Sequence, residues 1–327
     1  MKEEEIRKRD VFNKYLKLVE EDVNNFFDYE SFVEINCPAC GHDDFIFGFE
    51  KIGFKYVSCK QCSTLFINPR PSFDVLKKFY SESLSTTFWV NEFFKPVAEN
   101  RREKIFRPRA EYVRGLIKEA QNLVIGDIGA GFGLFLEELR KILPENKYIA
   151  IEPSAEMAQI CSKSGFDVKC MCLEDITVTE KSFDLLIAFE LFEHLFDPVT
   201  FLQKIYSLLK PGGNLLLTTL NGQGFDILIL WERSKSVAPP HHLNFFNPVS
   251  IKILLERIGF DVIEISTPGK LDWDIVEGMI KNEGADCGRF LSFLVENGND
   301  KCKIELQDWI SNNNLSSHMR ILARKPN

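Results

Sequence analysis

Two pairs of cysteines give the sequence its clearest chemical signal. Cys37 and Cys40 form one C-x2-C pair, Cys59 and Cys62 form a second, and 18 residues separate the two pairs. This spacing is typical of zinc sites in which each pair brings two thiolates together at a tight turn. Four thiolates complete a tetrahedral shell, so such a site is structural rather than catalytic. We therefore predict one structural zinc ion bound by these four cysteines.

A glycine-rich stretch, VIGDIGAGFGLF, places Asp127, Gly129, Gly131 and Gly133 between a strand-like run and a helix-like run. One interpretation is a dinucleotide site of the G-x-G-x-x-G type, which needs a small residue at position 134 for close helix–strand packing. This sequence has Leu134 there, and its glycines run G-x-G-x-G with an acid two residues before the first. The pattern therefore argues against an NAD-dependent dehydrogenase.

The same stretch resembles the first motif of the Rossmann-like methyltransferases that use S-adenosylmethionine. In that family the glycines let the backbone approach the amino-acid part of the cofactor, and the acid helps to position its ammonium group. An acid in this motif suits the cofactor, because S-adenosylmethionine carries an ammonium and a sulfonium group and has no pyrophosphate. The resemblance implies a cofactor site that includes Asp127, Gly129, Ala130, Gly131 and Gly133.

Two later segments extend the cofactor site. Glu152 ends the strand-like run KYIAIE and is followed by Pro153, as is common in the methyltransferases. A carboxylate at the end of the second strand accepts hydrogen bonds from both ribose hydroxyls. The segment CMCLEDITVTEKSFDLLIAFELFEHLFDP resembles the third and fourth motifs of the family. There the resemblance implies adenine recognition through the Leu173 backbone or Glu174, with Glu190 among the cofactor-binding residues.

The candidates for acid–base chemistry are few, because the sequence has only five histidines. His194 follows Glu193 just after the fourth predicted strand, and His241 and His242 come after the fifth. Both places face the carboxyl edge of the sheet, where open α/β folds bind their ligands. We predict His241 or His242 as the base, with Glu193 and His194 near the transferred methyl group. The alternative is that these histidines pack over the cofactor or shape the pocket.

Two groups of methyltransferases offer different acceptors. The cysteine module and the segment HHLNFF resemble zinc-ribbon sugar C-methyltransferases, although a usual Glu is here His241 and a usual Tyr is Pro239. The chain also resembles quinone-type O-methyltransferases in the pattern E-x-x-E-H, here Glu190, Glu193 and His194. In that group the pattern can bind a divalent cation near the substrate, and a hard cation would accept the two carboxylates. We therefore predict a small-molecule acceptor, with a sugar, nucleotide sugar or surface-glycan precursor first and a quinone precursor second.

Charge and composition argue against other classes of function. The chain of 327 residues has a formal net charge of −8, which disfavours a broadly cationic nucleic-acid binder. The run RREKIFRPR, residues 101–109, holds five basic residues against one acid, and either forms a solvated helix face or clamps an anionic acceptor. The chain shows no secretion signal and no apolar run of the ~18–20 residues that span a membrane. The chain also has nine cysteines, an odd number, which argues against a framework of disulfides. Together these features predict a cytoplasmic protein.

Alternating strands and helices must position these residues. From Leu123 onward the strand-like runs LVIGDI, KYIAIE, FDVKC, FDLLIAF and NLLLTTL alternate with helix-like runs, which predicts a parallel sheet covered on both faces. FDVIEIST and HMRILARK supply two further strands. The predicted fold is of the α/β class: a doubly wound, mostly parallel, seven-stranded Rossmann-like methyltransferase sheet. A zinc-ribbon module precedes it, and a helical insertion comes before its last strand.

The domain boundaries follow from these elements. We predict an N-terminal helix in residues 1–35, the ribbon in 36–70, a helical linker in 71–120 and the methyltransferase domain in 121–327, with the insertion at 271–316. The leading functional hypothesis is a methyltransferase that uses S-adenosylmethionine. The alternative from another class is a non-catalytic protein that binds the cofactor on the same fold.

Overall fold

The computed structural model describes residues 2–118, 120–177 and 182–327, with Phe93 described by its backbone alone. Residues 178–181, which belong to the quoted segment CMCLEDITVTEKSFD, lie outside this description. The chain divides into two compact units. The first consists of Met1–Val97, Thr219–Ile251 and Ser266–Met319, and the second of Ala98–Thr218, Lys252–Ile265 and Arg320–Asn327.

The described residues form the following regular elements. The strands are β1 (Phe45–Lys51), β2 (Phe54–Cys59), β3 (Leu65–Ile67), β4 (Val124–Ile128), β5 (Lys147–Ile151), β6 (Asp167–Lys169), β7 (Phe183–Phe189), β8 (Leu209–Leu220), β9 (Asn244–Phe245), β10 (Asp261–Ser266) and β11 (His318–Arg324). The α-helices are α1 (Glu3–Ile6), α2 (Arg9–Phe26), α3 (Phe73–Glu82), α4 (Leu84–Phe88), α5 (Ala98–Arg101), α6 (Arg107–Ile117), α7 (Leu134–Ile142), α8 (Ala155–Lys163), α9 (Pro198–Leu208), α10 (Phe225–Leu230), α11 (Pro248–Ile258), α12 (Asp272–Glu283), α13 (Arg289–Asn297) and α14 (Asp300–Asn312). Short 3-10 and π-helical turns connect several of them.

The first unit contains a four-stranded sheet with the order β1-β2-β3-β9. The β1–β2 hairpin turns at Ile52 and Gly53, which both have positive φ, and this backbone matches the twist of paired strands. β2 and β3 pair antiparallel, and β3 in turn pairs antiparallel with β9, where Phe66 lies opposite Asn244. The cysteine-bearing strands therefore receive their fourth strand from a segment far along the chain.

The second unit holds the body of a seven-stranded sheet with the order β10-β11-β8-β7-β4-β5-β6. The pairings β4–β5, β4–β7, β5–β6 and β7–β8 are all parallel. Its inner strands are runs of Ile, Leu and Val because helices cover both of their faces. Ile125, Leu185 and Leu216 belong to the resulting core and are almost completely buried. The predicted seven-stranded α/β sheet is thus confirmed.

The helical insertion before the last strand is also confirmed, as α12, α13 and α14 precede β11. Trp273, Val276, Leu291 and Val295 bury the apolar faces of α12 and α13 against Leu230 of α10. The insertion and the segment Thr219–Ile251 therefore belong to the first unit, together with the ribbon, rather than to the unit that holds the sheet. No helix in the described part of the chain is both long and apolar enough to cross a bilayer.

Candidate functional site

Three glycines build the turn between β4 and α7. Gly129, Gly131 and Gly133 have φ values of 72°, 54° and 74°, a region that strains any residue with a Cβ atom. The N–H groups of Gly129 and Ala130 donate to the Ile151 carbonyl at 2.8 and 3.4 Å, which fixes the turn to the end of β5. A Cβ on Gly131 would meet no described atom within 4 Å. The backbone at the centre of the turn therefore faces open space.

Glu152 follows β5 directly and is only 6% exposed. Its two carboxylate oxygens accept hydrogen bonds from Gly131 N–H at 2.8 Å and from Ser154 N–H at 2.9 Å. Burial raises the pKa of Glu152, and the two backbone hydrogen bonds oppose that rise. A carboxylate has about four acceptor positions, so each oxygen retains capacity for a further donor such as a ribose hydroxyl.

Asp127 lies within β4 and is 4% exposed. Burial and the negative charge of Glu152 raise the pKa of Asp127 to about 8, whereas the positive charge of Arg109 opposes this rise. A buried carboxyl in such surroundings gains most from a cation placed beside it. The ammonium group of S-adenosylmethionine is a cation of this kind.

Together these residues fit the cofactor that the sequence predicts. The open space beside Gly131 leaves room for the amino-acid part. Asp127 would lose its proton and become charged beside the ammonium group, and Glu152 has acceptors that would suit the ribose. The adenine assignments stay predictions. Leu173 is buried and Glu174 exposed on a 3-10 turn, and Pro153 is exposed after Glu152.

Glu190 follows β7 with a φ of 51°, unusual for a residue with a side chain. One of its carboxylate oxygens accepts hydrogen bonds from the Arg109 guanidinium and, at 2.7 Å, from the Thr218 hydroxyl. The Arg109 guanidinium also lies 4.5 Å from the centre of the Phe189 ring. A divalent cation at Glu190 would lie close to the positive charge of the Arg109 guanidinium.

Three arginines of the basic run 101–109 pair with carboxylates of their own unit. Arg102 pairs with Glu137 at 2.8 Å and with Glu138 at 3.1 Å, and Arg107 pairs with Glu138 at 3.1 Å. With Arg109 bound to Glu190, three arginines of the run contact carboxylates of later elements. This arrangement argues against the anion clamp that was the alternative interpretation of the run.

Glu193 and His194 lie on the 3-10 turn Phe192–His194 that follows β7. Glu193 is 2% exposed and His194 is half-buried. β7 runs parallel to β4, so this turn leaves the same edge of the sheet as the glycine turn. The placement is the one predicted, and the catalytic roles of both residues remain predictions.

His241 and His242 belong to the first unit and have different surroundings. The His241 ring packs among the rings of Tyr15, Phe79 and Tyr80, with centroids 5.1 to 5.8 Å away. His242 is half-buried, and its Nδ1 lies 2.6 Å from the Ser236 carbonyl oxygen. A carbonyl oxygen only accepts, so the neutral ring carries its hydrogen on Nδ1 and its lone pair on Nε2. His242 therefore has the tautomer of a proton acceptor at Nε2.

The four cysteines of the first unit converge as predicted. Their sulfur atoms all lie within 4.8 Å of one another. The pairs Cys37–Cys62 and Cys40–Cys59 are each 3.5 Å apart, close to the about 3.8 Å between thiolates around tetrahedral zinc. The set fits a closed site in which no ligand position is left for a substrate.

Sequence reasoning missed two partners at these sites. Arg109 is one of five basic residues in the run 101–109, and the sequence does not distinguish it from the others. Its contact with Glu190 depends on how α6 packs in the second unit. The Ser236 carbonyl that orients His242 has no sequence signal, because a backbone acceptor is present at every position.

A family model and several known proteins match this chain. The family model described as "Methyltransferase domain" matches residues 97–265. The ubiquinone biosynthesis O-methyltransferase of Xanthomonas axonopodis pv. citri (strain 306) is 28% identical over 169 residues, covering 48% of this chain and 70% of the relative. The mitochondrial ubiquinone biosynthesis O-methyltransferase of Homo sapiens is 31% identical over 161 residues, covering 44% of this chain and 43% of the relative.

Among solved structures, the plantazolicin methyltransferase BpumL in complex with SAH aligns with a TM-score of 0.50 at 17% identity. The alignment covers 77% of this chain and 94% of that chain, and it shows a similarity of fold alone. The family model spans more than half of the 327 residues and includes the glycine turn, Asp127 and Glu152. The chain therefore belongs to the methyltransferase-domain family and is a class I methyltransferase that uses S-adenosylmethionine.

Proposed function

We propose that this methyltransferase transfers a methyl group to a hydroxyl oxygen of a small-molecule acceptor, with His242 accepting the hydroxyl proton. The observation that carries the proposal is the hydrogen bond between His242 Nδ1 and the Ser236 carbonyl oxygen, which sets the tautomer of the ring. Nε2 is then the basic nitrogen. A hydroxyl needs such a base because its proton must leave while the new O–C bond forms.

The cofactor supplies a methyl group on a sulfonium, which is already activated for displacement. What the chain adds is alignment and proton removal. Asp127 would hold the ammonium group and Glu152 the ribose, which fixes the position of the donor. Alignment of donor and acceptor contributes on the order of 7–11 kcal/mol at best, and a positioned base contributes roughly 10²–10⁴-fold in rate.

The acceptor proposed first is a hydroxylated quinone precursor. Both curated relatives named above are ubiquinone biosynthesis O-methyltransferases, which supports an oxygen acceptor of that chemical class. The pairing of Arg102, Arg107 and Arg109 with carboxylates supports an acceptor that this run does not clamp through a phosphate. A sugar or surface-glycan precursor is the second candidate, supported by the four-cysteine module that resembles the sugar C-methyltransferases.

Two alternatives receive less support. A divalent cation bound by Glu190, Glu193 and His194 would share the Glu190 carboxylate with the Arg109 guanidinium, whose positive charge would repel it. A non-catalytic cofactor-binding protein would have no use for a histidine held in the base tautomer. Turnover of labelled methyl groups separates this last alternative from the proposal.

The test is a transfer assay with S-adenosylmethionine labelled in its methyl group. Hydroxylated quinone precursors, nucleotide sugars, glycans and RNA serve as acceptors, and the His242→Gln variant is compared with His42→Gln, which alters an exposed turn. We expect label in the hydroxylated ring, a roughly 10²–10⁴-fold lower kcat for His242→Gln and unchanged cofactor binding in both variants.

Each other outcome has a defined meaning. Label in a sugar instead selects the second candidate. Equal turnover by the wild type and His242→Gln removes His242 as the base. Saturable cofactor binding without transfer to any acceptor contradicts the proposed hydroxyl acceptors and favours the non-catalytic alternative.

A further inference from the structure

We infer that the zinc ribbon positions the histidine segment, defined as His241–Asn247, by including it in its own sheet. The cysteine module would then have a catalytic consequence as well as a structural one, because the zinc site holds the strand next to His242. The inference rests on the proposed function only in taking His242 as the base.

The backbone gives the first link. β9 adds to the ribbon as its fourth strand, with Leu65 opposite Phe245 and Phe66 opposite Asn244. Directly beyond this pairing, the Ile67 N–H donates to the Leu243 carbonyl at 3.0 Å. The ladder that begins in the cysteine-bearing hairpin therefore continues into the histidine segment without interruption.

Two phenol groups hold the carbonyls of the histidines themselves. The Tyr56 hydroxyl donates to the His242 carbonyl at 2.8 Å, and the Tyr80 hydroxyl donates to the His241 carbonyl at 3.3 Å. Tyr56 belongs to β2 and is fully buried. A buried carbonyl that lost such a donor would be destabilised by its own desolvation, so this bond favours one conformation of the segment.

A buried arginine is also hydrogen-bonded to β9. Arg70 is completely buried, and its guanidinium donates to the Asn244 side-chain oxygen at 2.9 Å and to the Ile67 carbonyl at 3.2 Å. One side chain thus connects the strand after the second cysteine pair with the strand that follows the histidines. The charge-assisted bonds are of the stronger kind found in proteins.

The zinc site is linked to the end of the segment through Asn247. Its side-chain amide donates to the carbonyl of Cys62, a predicted zinc ligand, at 2.9 Å. Its side-chain oxygen accepts from the N–H groups of Val249 and Ser250 at the start of α11, in the manner of an N-cap. One residue therefore joins a metal-binding turn, the histidine segment and a helix.

These links predict what loss of zinc does. Structural zinc sites supply much of the folding free energy of small modules, and β9 has only two residues, too few to remain paired without its neighbours. Without metal the strands of the ribbon would loosen, and the histidine segment with them. Asp127 and Glu152 lie in the second unit, and the bonds of Glu152 come from Gly131 and Ser154 there.

The experiment measures hydrogen exchange by mass spectrometry on the full chain, with zinc bound and after removal by a chelator, and titrates S-adenosylmethionine in both states. We expect at least tenfold faster exchange in residues 241–247 after zinc removal, less than twofold change in residues 125–133, and cofactor affinity within twofold. Re-addition of zinc should restore the slow exchange.

Paired variants test the link while zinc stays bound. Tyr56→Phe removes the donor to His242, whereas Tyr29→Phe removes a hydroxyl that donates to the Ile52 carbonyl at 3.1 Å in the same ribbon. Loss of one buried hydrogen bond should speed exchange of residues 241–247 roughly two- to tenfold in Tyr56→Phe and leave it unchanged in Tyr29→Phe.

Two results would overturn the inference. Unchanged exchange in residues 241–247 after zinc removal would show that the segment does not depend on the metal. Equally faster exchange in residues 125–133 would show general unfolding instead of a local link. Neither measurement needs an acceptor, so failure of the proposed function, seen as normal turnover by His242→Gln, is distinguishable from failure of this inference.

Discussion

The backbone N–H of Gly131 donates a 2.8 Å hydrogen bond to a carboxylate oxygen of Glu152. The bond connects the centre of the glycine turn to the acid that follows β5, so the two parts of the predicted cofactor site hold each other in place. Because the second oxygen accepts from Ser154 N–H, the carboxylate is fixed at both ends. Preorganisation of this kind lowers the entropic cost of binding.

Replacement of Glu152 by Gln is expected to weaken cofactor binding. The amide keeps the shape of the side chain but has one oxygen instead of two, and its NH2 group would face the N–H of either Gly131 or Ser154. Loss of charge-assisted hydrogen bonds predicts a roughly ten- to hundredfold higher Kd for S-adenosylmethionine, measured by calorimetry. Glu145→Gln, at an exposed site on the turn before β5, is the control. Equal affinities would contradict the role of Glu152.

Cofactor binding should depend on pH through Asp127. Burial and the charge of Glu152 raise the pKa of Asp127 to about 8, so near pH 7 most of this carboxyl is protonated before binding. The cofactor ammonium favours the charged form, and binding should therefore release a proton and strengthen as the pH rises towards about 8. Calorimetry in buffers of different ionisation enthalpy measures the released proton.

The variant Asp127→Asn provides the control for this pH effect. It should bind the cofactor more weakly and lose the pH dependence between pH 6 and 8. A variant with the same proton release as the wild type would assign the effect to another group.

Much of the site was predictable because its signals are local. Cysteine spacing predicted the metal site, and the glycine pattern predicted the turn, since only glycine takes up positive φ readily at three alternate positions. The position of Glu152 at a strand end followed from alternation of strands and helices. These features depend on residues that are close together in sequence, so local sequence patterns are enough to predict them.

What could not be predicted depends on long-range packing. β9 consists of Asn244 and Phe245, too short to show a strand pattern, and it pairs with the ribbon because of contacts formed only in the folded unit. His241 and His242 are adjacent, yet one packs among aromatic rings and the other contacts a carbonyl. The folded unit decides which of these two adjacent side chains meets the rings and which meets the carbonyl. The residue types, which are identical, do not indicate it.

Glu138 should stabilise the second unit in a pH-dependent manner. Its carboxylate is almost fully buried, and although burial raises the pKa of Glu138, hydrogen bonds from Lys141, Arg107 and Arg102 lower it to about 2. The pKa lies below the unfolded value of about 4.3. Its stabilisation is therefore fully present above about pH 5 and is lost as the pH falls towards 2.

Glu138→Gln should accordingly lower the free energy of unfolding at pH 7 by about 1–3 kcal/mol, since the buried side chain loses charge-assisted hydrogen bonds from Arg102, Arg107 and Lys141. Urea denaturation at pH 3 to 7 measures this loss, which should shrink at the acid end. Glu111→Gln removes an exposed partner of Arg114 and should change stability by less than about 0.5 kcal/mol. Parallel pH profiles for the wild type and Glu138→Gln would refute the assignment.

Gly126 in β4 should resist even the smallest substitution. A Cβ there would lie 2.7 Å from side-chain carbons of both Leu186 and Phe183, which belong to the neighbouring strand β7. Because both neighbours are core residues, Gly126→Ala should lower the free energy of unfolding by about 1–3 kcal/mol. The matched control is Gly115→Ala on α6, where a Cβ meets no described atom within 4 Å and should stabilise the helix by about 0.5–1 kcal/mol.

Asp127 is the next residue after Gly126, so displacement of β4 should also weaken cofactor binding in Gly126→Ala and not in Gly115→Ala. Calorimetric titration together with thermal unfolding of both variants measures the two effects. Unaltered stability of Gly126→Ala would show that the side chains of Leu186 and Phe183 can move aside without cost.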